Sequence, residues 1–571
     1  MLEETRKKIY DSVLRATMMT YDFQDVELRN IPFSGHWGFS TSVAFKIAGR
    51  EARRGGDFNQ LKKEVAHRIV SALEKVNEVS SIEVIDGYIN IYLAEDVFAR
   101  KIVERILGGK VTFPPKKERV MVEYSQPNTH HAFHIGHLRN VVLGQALVNI
   151  MRFAGYDVVA ATYPGDIGIH VAKCLWRYMK FYKGKEPEEG KGEWLAKLYA
   201  EGATAFEKDE GVQREVRELN QRLEAGESEA TELWKKTRQW SLDYFDRIYS
   251  ELGVRFDAIF FESNVMQEGK EIAEELVRKG IAEISDGAVV VFLDKKLHTK
   301  DLGVYVLLRS DGTTLYSAKD LALAKMKFEG YNIDRSIYVI GSEQKMHLRQ
   351  LFATLALWGF RQAEKCFHLS YELVMLRTGK MSSRAGNVAL YDDLFRDTYG
   401  EAITQIREKG FVVDDVEETA RRIALGAMKF SMLHDNNKVI LFDPQESVNF
   451  EGQTAAYAQY AYARASRILE KAGERNEEPV YSTLEPSEKN LLEILSQFKE
   501  VITDASETYR PHLISNYAFM LAKTFNEFYH TCPVLQAGEG TRERRLLFVE
   551  TTRKILGITL GLVGIETVER M

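Results

Sequence analysis

Residues 122–140, VEYSQPNTHHAFHIGHLRN, read as a strand that breaks into a turn and re-forms as a helix. Val120, Met121, Val122 and Tyr124 make an apolar, β-favouring run after the breaker Pro114-Pro115. Pro127-Asn128 interrupts it, and Leu138, Val141, Val142, Leu147 and Ile150 then recur at helical spacing. His134 and His137 flank Ile135-Gly136, where the turn becomes the helix. Free N–H groups at a helix start are a natural seat for phosphate, and Gly136 offers close approach to the backbone. Imidazoles placed there can donate hydrogen bonds to phosphate oxygens. A metal cluster is the competing reading, since His130, His131, His134 and His137 crowd together and imidazole is a common zinc ligand. No cysteine lies nearby, however, and Glu123 sits across the proline break.

A second polar segment lies far downstream. Lys380-Met381-Ser382-Ser383-Arg384 is bracketed by Gly379 and Gly386, a cationic stretch suited to an anion; a plain exposed basic loop would read the same way. Taken together, in this order and at this separation, the two segments resemble the HIGH and KMSKS signatures of class I aminoacyl-tRNA synthetases. That resemblance implies activation of an amino acid by ATP and its transfer to tRNA.

A guanidinium substrate calls for carboxylates and amide oxygens. Glu123, Ser125 and Asn128 stand just before the histidine signature. Tyr316 and Asp320 are one helical turn apart, and Gln344 follows the apolar run 337–340. This set resembles the arginyl-tRNA synthetase family residue by residue. The resemblance implies that Asp320 takes the guanidinium, that Tyr316 and Gln344 shape the pocket, and that Glu123, Ser125 and Asn128 hold the rest of the amino acid. It also implies a pocket asparagine from the N-terminal domain, here Asn90. Gly341, Glu343 and His347 resemble the second nucleotide-binding element. ATP would therefore meet His134, Gly136, His137, Gly341, Glu343, His347, Lys380, Met381, Ser382 and Arg384. His134, His137 and Lys380 would carry the catalysis. Residues 160–173, AATYPGDIGIHVAK, place the family's Gly-Asp-x-Gly on Gly165, Asp166 and Gly168.

Two positions depart from the family pattern. Ser383 replaces the second lysine of KMSKS, and His131 stands where some relatives with a degenerate loop carry a lysine before the histidine signature. A protonated His131 is then expected to share phosphate neutralisation with Lys380 and Arg384, making activation pH-dependent.

The 571 residues exceed one ordinary core. The resemblance implies a multidomain α/β protein. A small α+β N-terminal domain that contacts tRNA (1–112) precedes a Rossmann-like catalytic domain (113–395) with an insertion at about 183–300. A helical stem-contact segment (396–446) and an all-α anticodon-binding bundle (447–571) follow. No apolar run of about eighteen residues exists, so no membrane span is expected. Three scattered cysteines, Cys174, Cys366 and Cys532, suit a reducing compartment, and the cytoplasm is expected. A net charge of −6 does not by itself announce an RNA partner; the basic run Arg542-Glu543-Arg544-Arg545, with Arg553-Lys554, is the candidate phosphate contact. The resemblance further implies tRNA(Arg), L-arginine and ATP as partners, Mg²⁺ arriving with ATP, no resident metal, a monomer, and activation that waits for tRNA. Rival readings are a class I synthetase for another amino acid, an impaired paralogue that only binds RNA, and a metal hydrolase built on the histidines. The pair Glu123 and Asp320 argues against an anionic substrate.

Overall fold

The computed structural model describes residues 2–31, 37–377, 389–474 and 477–571. Alternation in Val79–Ile85 (β3) and Tyr88–Leu93 (β4) buries Ile89, Ile91 and Leu93 on one face. Short strands Arg29–Asn30 (β1) and Gly38–Thr41 (β2) complete an antiparallel sheet in the order β1-β2-β4-β3. Helices Leu2–Tyr21, Val43–Ala52, Phe58–Ser71 and Glu95–Leu107 pack with it. The helix from Phe58 stops at Ser71, ahead of the apolar Leu73 and Val76, because the chain turns at Ala72 so that Ser12 can bond Glu74.

The catalytic body is a five-stranded parallel sheet. Arg119–Glu123 (β5) is central, with Asp157–Thr162 (β6) and Ala258–Ile259 (β7) on one side. Arg335–Gly341 (β11) and Cys366–Tyr371 (β12) lie on the other, giving the order β12-β11-β5-β6-β7. Val120, Met121 and Val122 are wholly buried, as a parallel strand covered on both faces requires. The chain leaves β5 toward β6 and returns on the opposite side at β11. The crevice outside the carboxyl ends of β5 and β11 is therefore a topological switch point, the place where open α/β sheets bind ligands.

Between β6 and β7 run four helices, Ile169–Phe181, Lys191–Lys208, Glu210–Glu224 and Ser228–Leu252. Glu283–Ser285 (β8), Ala288–Phe292 (β9) and Val304–Leu308 (β10) form a separate antiparallel sheet before the chain re-enters the catalytic layer. Val374–Leu376 (β13) pairs in parallel with Ile440–Phe442 (β14), across the helices Tyr391–Glu408 and Val416–Met432. The segment 396–446, expected to be helical, thus contributes one short strand, Ile440–Phe442, beside its helices. Five helices from Ala455 to Leu562 make the C-terminal bundle.

The basic run of the last helix is not a free phosphate contact. Arg544 and Arg545 are buried and both donate to the buried Glu488 at 2.8–3.0 Å, 56 and 57 residues away. Arg542 pairs with Glu543, Arg553 with Glu569, and Lys554 donates to the Leu107 carbonyl. Arg544 and Arg545 thus clamp the last helix to the helix Pro486–Ser496, which a linear charge count cannot distinguish from a nucleic-acid face.

Candidate active site

The helix Ile135–Phe153 starts at His134, whose extended backbone (φ −129°, ψ 174°) makes it the N-cap. Its Nδ1 accepts from the N–H of Gly136 at 3.1 Å and of His137 at 3.4 Å. The Nδ1 of His137 in turn accepts from the His134 N–H at 3.3 Å, a capping box written in imidazoles. Ile135 N–H donates to the Ala389 carbonyl and Leu138 N–H to the His134 carbonyl. The first N–H groups of this helix are thus already satisfied, contrary to the expectation that they await phosphate. Gly136 has a different role as well. A Cβ there would stand 3.0 Å from His134 Cε1 and 3.1 Å from its Nδ1, so the glycine makes room for the capping ring.

The two rings stack with centroids 3.7 Å apart. With both Nδ1 atoms accepting, the proton of each neutral ring resides on Nε2. Burial pushes His134 down to about 4 and His137 well below the usual imidazole range, where His134 and His131 add to the effect. The pair is neutral at physiological pH and presents two N–H donors held in one tautomer.

The same cleft, about 950 Å³, is lined by Glu123, Asn128, His134, Gly136, His137, Tyr316, Asp320, Gly341, Glu343, Gln344 and His347. Asn128 lies directly on Gly165: a Cβ on that glycine would come within 2.2 Å of Asn128 Oδ1. Asp166 next to it is buried and bonds Arg238 at 2.8 Å and the N–H and hydroxyl of Ser263 at 2.9 and 2.7 Å, tying the inserted helices to the catalytic layer. The Gly-Asp-x-Gly stretch is therefore scaffold for the cleft.

Three of the five carboxylates that line the cleft, Glu123, Glu262 and Asp320, have different partners. Glu123, at the end of β5, forms a buried ion pair with Lys327, whose ammonium lies 3.9 Å from the centre of the Tyr338 ring. Glu262, which the sequence did not single out, pairs with the buried Lys319 at 2.7 Å, and burial raises its pKa against that lysine. Asp320 alone of the three has no lysine among the described residues; its Oδ2 meets His347 Nε2 at 2.7 Å. His347, expected with the nucleotide, lines the cleft and packs against Tyr316 with ring centroids 4.7 Å apart. Gln126, Asn140, Tyr163 and Glu372 also line the cleft and carried no sequence signal of their own.

Some expected residues are not brought together. Asn90 is on β4, paired with Ser40 and Glu83 in the N-terminal sheet, and does not line the cleft. Ser125 is buried behind it, its hydroxyl 2.7 Å from Tyr249 and its N–H on Asn140. His131 packs on Tyr199 of the insertion at 3.8 Å between ring centroids, and burial, reinforced by His170, His134 and Lys173, lowers it to about 3. That corrects the expectation of a protonated His131: the ring is neutral near pH 7. His130 is fully buried between Thr129 and Thr237. The crowded histidines therefore diverge, and no group of three or more His, Cys, Asp or Glu among the described residues could hold a metal. Lys380, Met381, Ser382 and Arg384 lie outside the described residues.

Comparison with known proteins agrees along the chain. Residues 102–441 match the family described as tRNA synthetases class I (R), catalytic domain. Residues 3–93 match the arginyl tRNA synthetase N terminal domain, and 458–571 the DALR anticodon binding domain. An arginine–tRNA ligase of Bdellovibrio bacteriovorus is 38% identical over 503 residues, 85% of this chain and 86% of that protein. Another from Clostridium acetobutylicum is 34% identical over 521 residues, 90% and 91% of the two chains. Among solved structures, an arginyl-tRNA synthetase of Thermus thermophilus superposes with a TM-score of 0.79 at 27% identity, covering 99% of this chain and 100% of its own. Family, architecture and relatives converge: the chain belongs to the arginyl-tRNA synthetases of class I and is an arginine–tRNA ligase.

Proposed function

We propose a division of labour within the cleft in which Asp320 takes the substrate's guanidinium and the stacked histidines take the nucleotide's phosphates. The observation that carries it is the contrast among the carboxylates. Glu123 and Glu262 already face buried lysines, whereas Asp320 has none and can answer a planar cation with a charge-assisted fork. Tyr316 and Gln344 border that part of the cleft, with Asn128 toward the α-amino and carboxylate groups; Glu123 supports the pocket through Lys327.

In the first step a carboxylate oxygen of arginine attacks the α-phosphorus of ATP in line. The bond to the β,γ-phosphates breaks, leaving arginyl-adenylate and pyrophosphate. His134 and His137 donate Nε2–H bonds to phosphate oxygens, preorganised because the cap locks both rings before ATP arrives. Lys380 and Arg384 are assigned, from sequence, to the charge of the departing pyrophosphate. In the second step the terminal ribose hydroxyl of tRNA(Arg), taken as the 2′-hydroxyl from the family resemblance, attacks the adenylate carbonyl carbon and AMP leaves with the electron pair. Mg²⁺ would accompany ATP and offset phosphate charge; Glu343 and Glu372 are cleft carboxylates suited to its hydrated ion.

We also read activation as tRNA-dependent and the protein as a cytoplasmic monomer. No helix among the described residues is long and apolar enough to cross a membrane. The assay is ATP–pyrophosphate exchange with each of the twenty amino acids, with and without tRNA. Exchange with arginine alone and only with tRNA is the expected result. Exchange without tRNA refutes the dependence, and exchange by Asp320→Asn at wild-type arginine KM refutes the guanidinium assignment.

A further inference from the structure

Arg139 lies half a turn beyond His137 on the helix Ile135–Phe153 and is 1% exposed, the largest fully buried side chain in the protein's described part. A buried guanidinium normally faces a carboxylate, because its desolvation costs several kcal/mol. This one is satisfied by backbone carbonyls instead. Nη1 donates to Glu372 at 2.5 Å, Leu373 at 3.1 Å and Lys438 at 3.1 Å, and Nη2 to Asp435 at 3.4 Å. Its Nε–H has no acceptor among the described residues, and its Cζ lies 5.6 Å from the centre of the Tyr371 ring. Burial pushes the group down to about 10, opposed by Tyr371, Glu372 and Asp435, so it stays charged at neutral pH.

The carbonyls belong to two segments that meet nowhere else in sequence. Glu372 and Leu373 immediately precede β13, which runs along the cleft to Leu376. Asp435 and Lys438 belong to the turn before β14. The two segments are stitched together by Glu372 N–H to the Asn436 carbonyl and Ile440 N–H to the Leu373 carbonyl, then by the β13–β14 ladder. The far side of the turn meets the C-terminal bundle, where the hydroxyl of buried Ser515, on the helix His512–Thr531, is shared between the His512 carbonyl at 3.0 Å and the Leu433 carbonyl at 3.2 Å. A forked, five-donor cation is suited to gather several carbonyls at once, which lysine cannot do.

We propose that Arg139 is a positioning residue for the ligase reaction, fastening β13 and the 435–438 turn to the helix that carries His134 and His137, so that the histidines, the β13 wall of the cleft and the C-terminal bundle share one frame. The inference rests on the assignment of the histidines to the nucleotide made above. A small displacement of catalytic groups is enough to cost about 100-fold in rate.

The test is Arg139→Lys in the full chain, read by tRNA-dependent ATP–pyrophosphate exchange, arginine and tRNA binding, and backbone hydrogen exchange. The expected result is a kcat lower by about 100-fold with arginine and tRNA affinities retained. Faster hydrogen exchange should be confined to 372–376 and 435–442, while β5 and β11 stay protected. A folded variant with wild-type kcat, or a kcat loss without local deprotection, overturns the proposal. If the lysine variant does not fold, Ser515→Ala decides: the bundle's bond to the turn is lost, and kcat should fall about fivefold at unchanged tRNA affinity. Unaltered turnover in that variant overturns the proposal too. Failure of the wild-type protein to exchange pyrophosphate with arginine would instead sink the underlying reading, which separates the two.

Discussion

Replacing Lys327 by Met asks which carboxylate of the cleft is reserved for the substrate. Glu123 and Lys327 are both almost completely buried, so the single change strands a carboxylate without a counter-charge, a loss of about 3–5 kcal/mol in unfolding free energy. Glu123→Gln strands the lysine and should cost a similar amount. The double variant, Glu123→Gln with Lys327→Met, removes both charges and should recover most of the loss, a coupling of about 3 kcal/mol in a double-mutant cycle. Urea denaturation supplies those values. Arginine binding by calorimetry supplies the functional half. Asp320→Asn removes a charge-assisted hydrogen bond worth about 1.5–3 kcal/mol, so binding should weaken about 10- to 150-fold. The double variant, with Asp320 intact, should bind arginine close to the wild-type affinity. A double variant that regains stability yet loses arginine as severely as Asp320→Asn would show that Glu123 itself carries the guanidinium, and the division drawn among the three carboxylates would be refuted.

The capped histidines and the acid limb of stability give two further expectations. His134→Asn keeps a side-chain oxygen for the helix cap but removes the outward N–H, so turnover should fall about 100-fold or more with stability nearly intact; His134→Ala should lose about 1 kcal/mol of stability besides. Wild-type turnover by the asparagine variant would end the histidine–phosphate assignment. His130 and His131 are lowered to about 3 and His134 and His170 to about 4, all chiefly by burial, so each stays neutral in the folded state while the unfolded chain takes up protons below the ordinary imidazole value of about 6.5. Their contribution is complete above that pH and is lost as pH falls toward 4, at up to about 1.4 kcal/mol per pH unit for each ring. Urea midpoints that stay level between pH 7 and 5 would contradict the buried, neutral state.

The strand–turn–helix at 120–153 was legible because its apolar positions change period across a proline, and local chemistry sufficed. Cleft membership of Tyr316, Asp320 and Gln344 was legible for another reason: the resemblance supplied pairings that one sequence cannot. Charge balance was not legible. Glu123 finds Lys327, Glu262 finds Lys319 and Glu488 finds two arginines only after the chain has folded. Read along the chain, each is an isolated charge, and Arg544 and Arg545 look like a free basic patch. The capping geometry of His134 was hidden likewise, since serine, threonine, aspartate and asparagine are the residues that announce an N-cap. The β13–β14 pair escaped notice because each strand is three residues long and their partnership spans two helices.

The substitution of Ser383 for the usual loop lysine can now be narrowed. His131 is excluded as a cationic replacement, because a ring packed on Tyr199 and lowered to about 3 carries no charge at neutral pH. The stacked pair cannot supply the missing charge either, since both rings are neutral and their Nδ1 atoms are committed to the backbone. Lys319 and Lys327, buried behind the cleft's carboxylates, are paired with Glu262 and Glu123. His131 is thus no substitute for the missing lysine, and the stacked histidines offer direction rather than charge. Burial keeps His131, His134 and His137 neutral between pH 6 and 8, so the pH dependence expected of a protonated His131 does not come from these three rings.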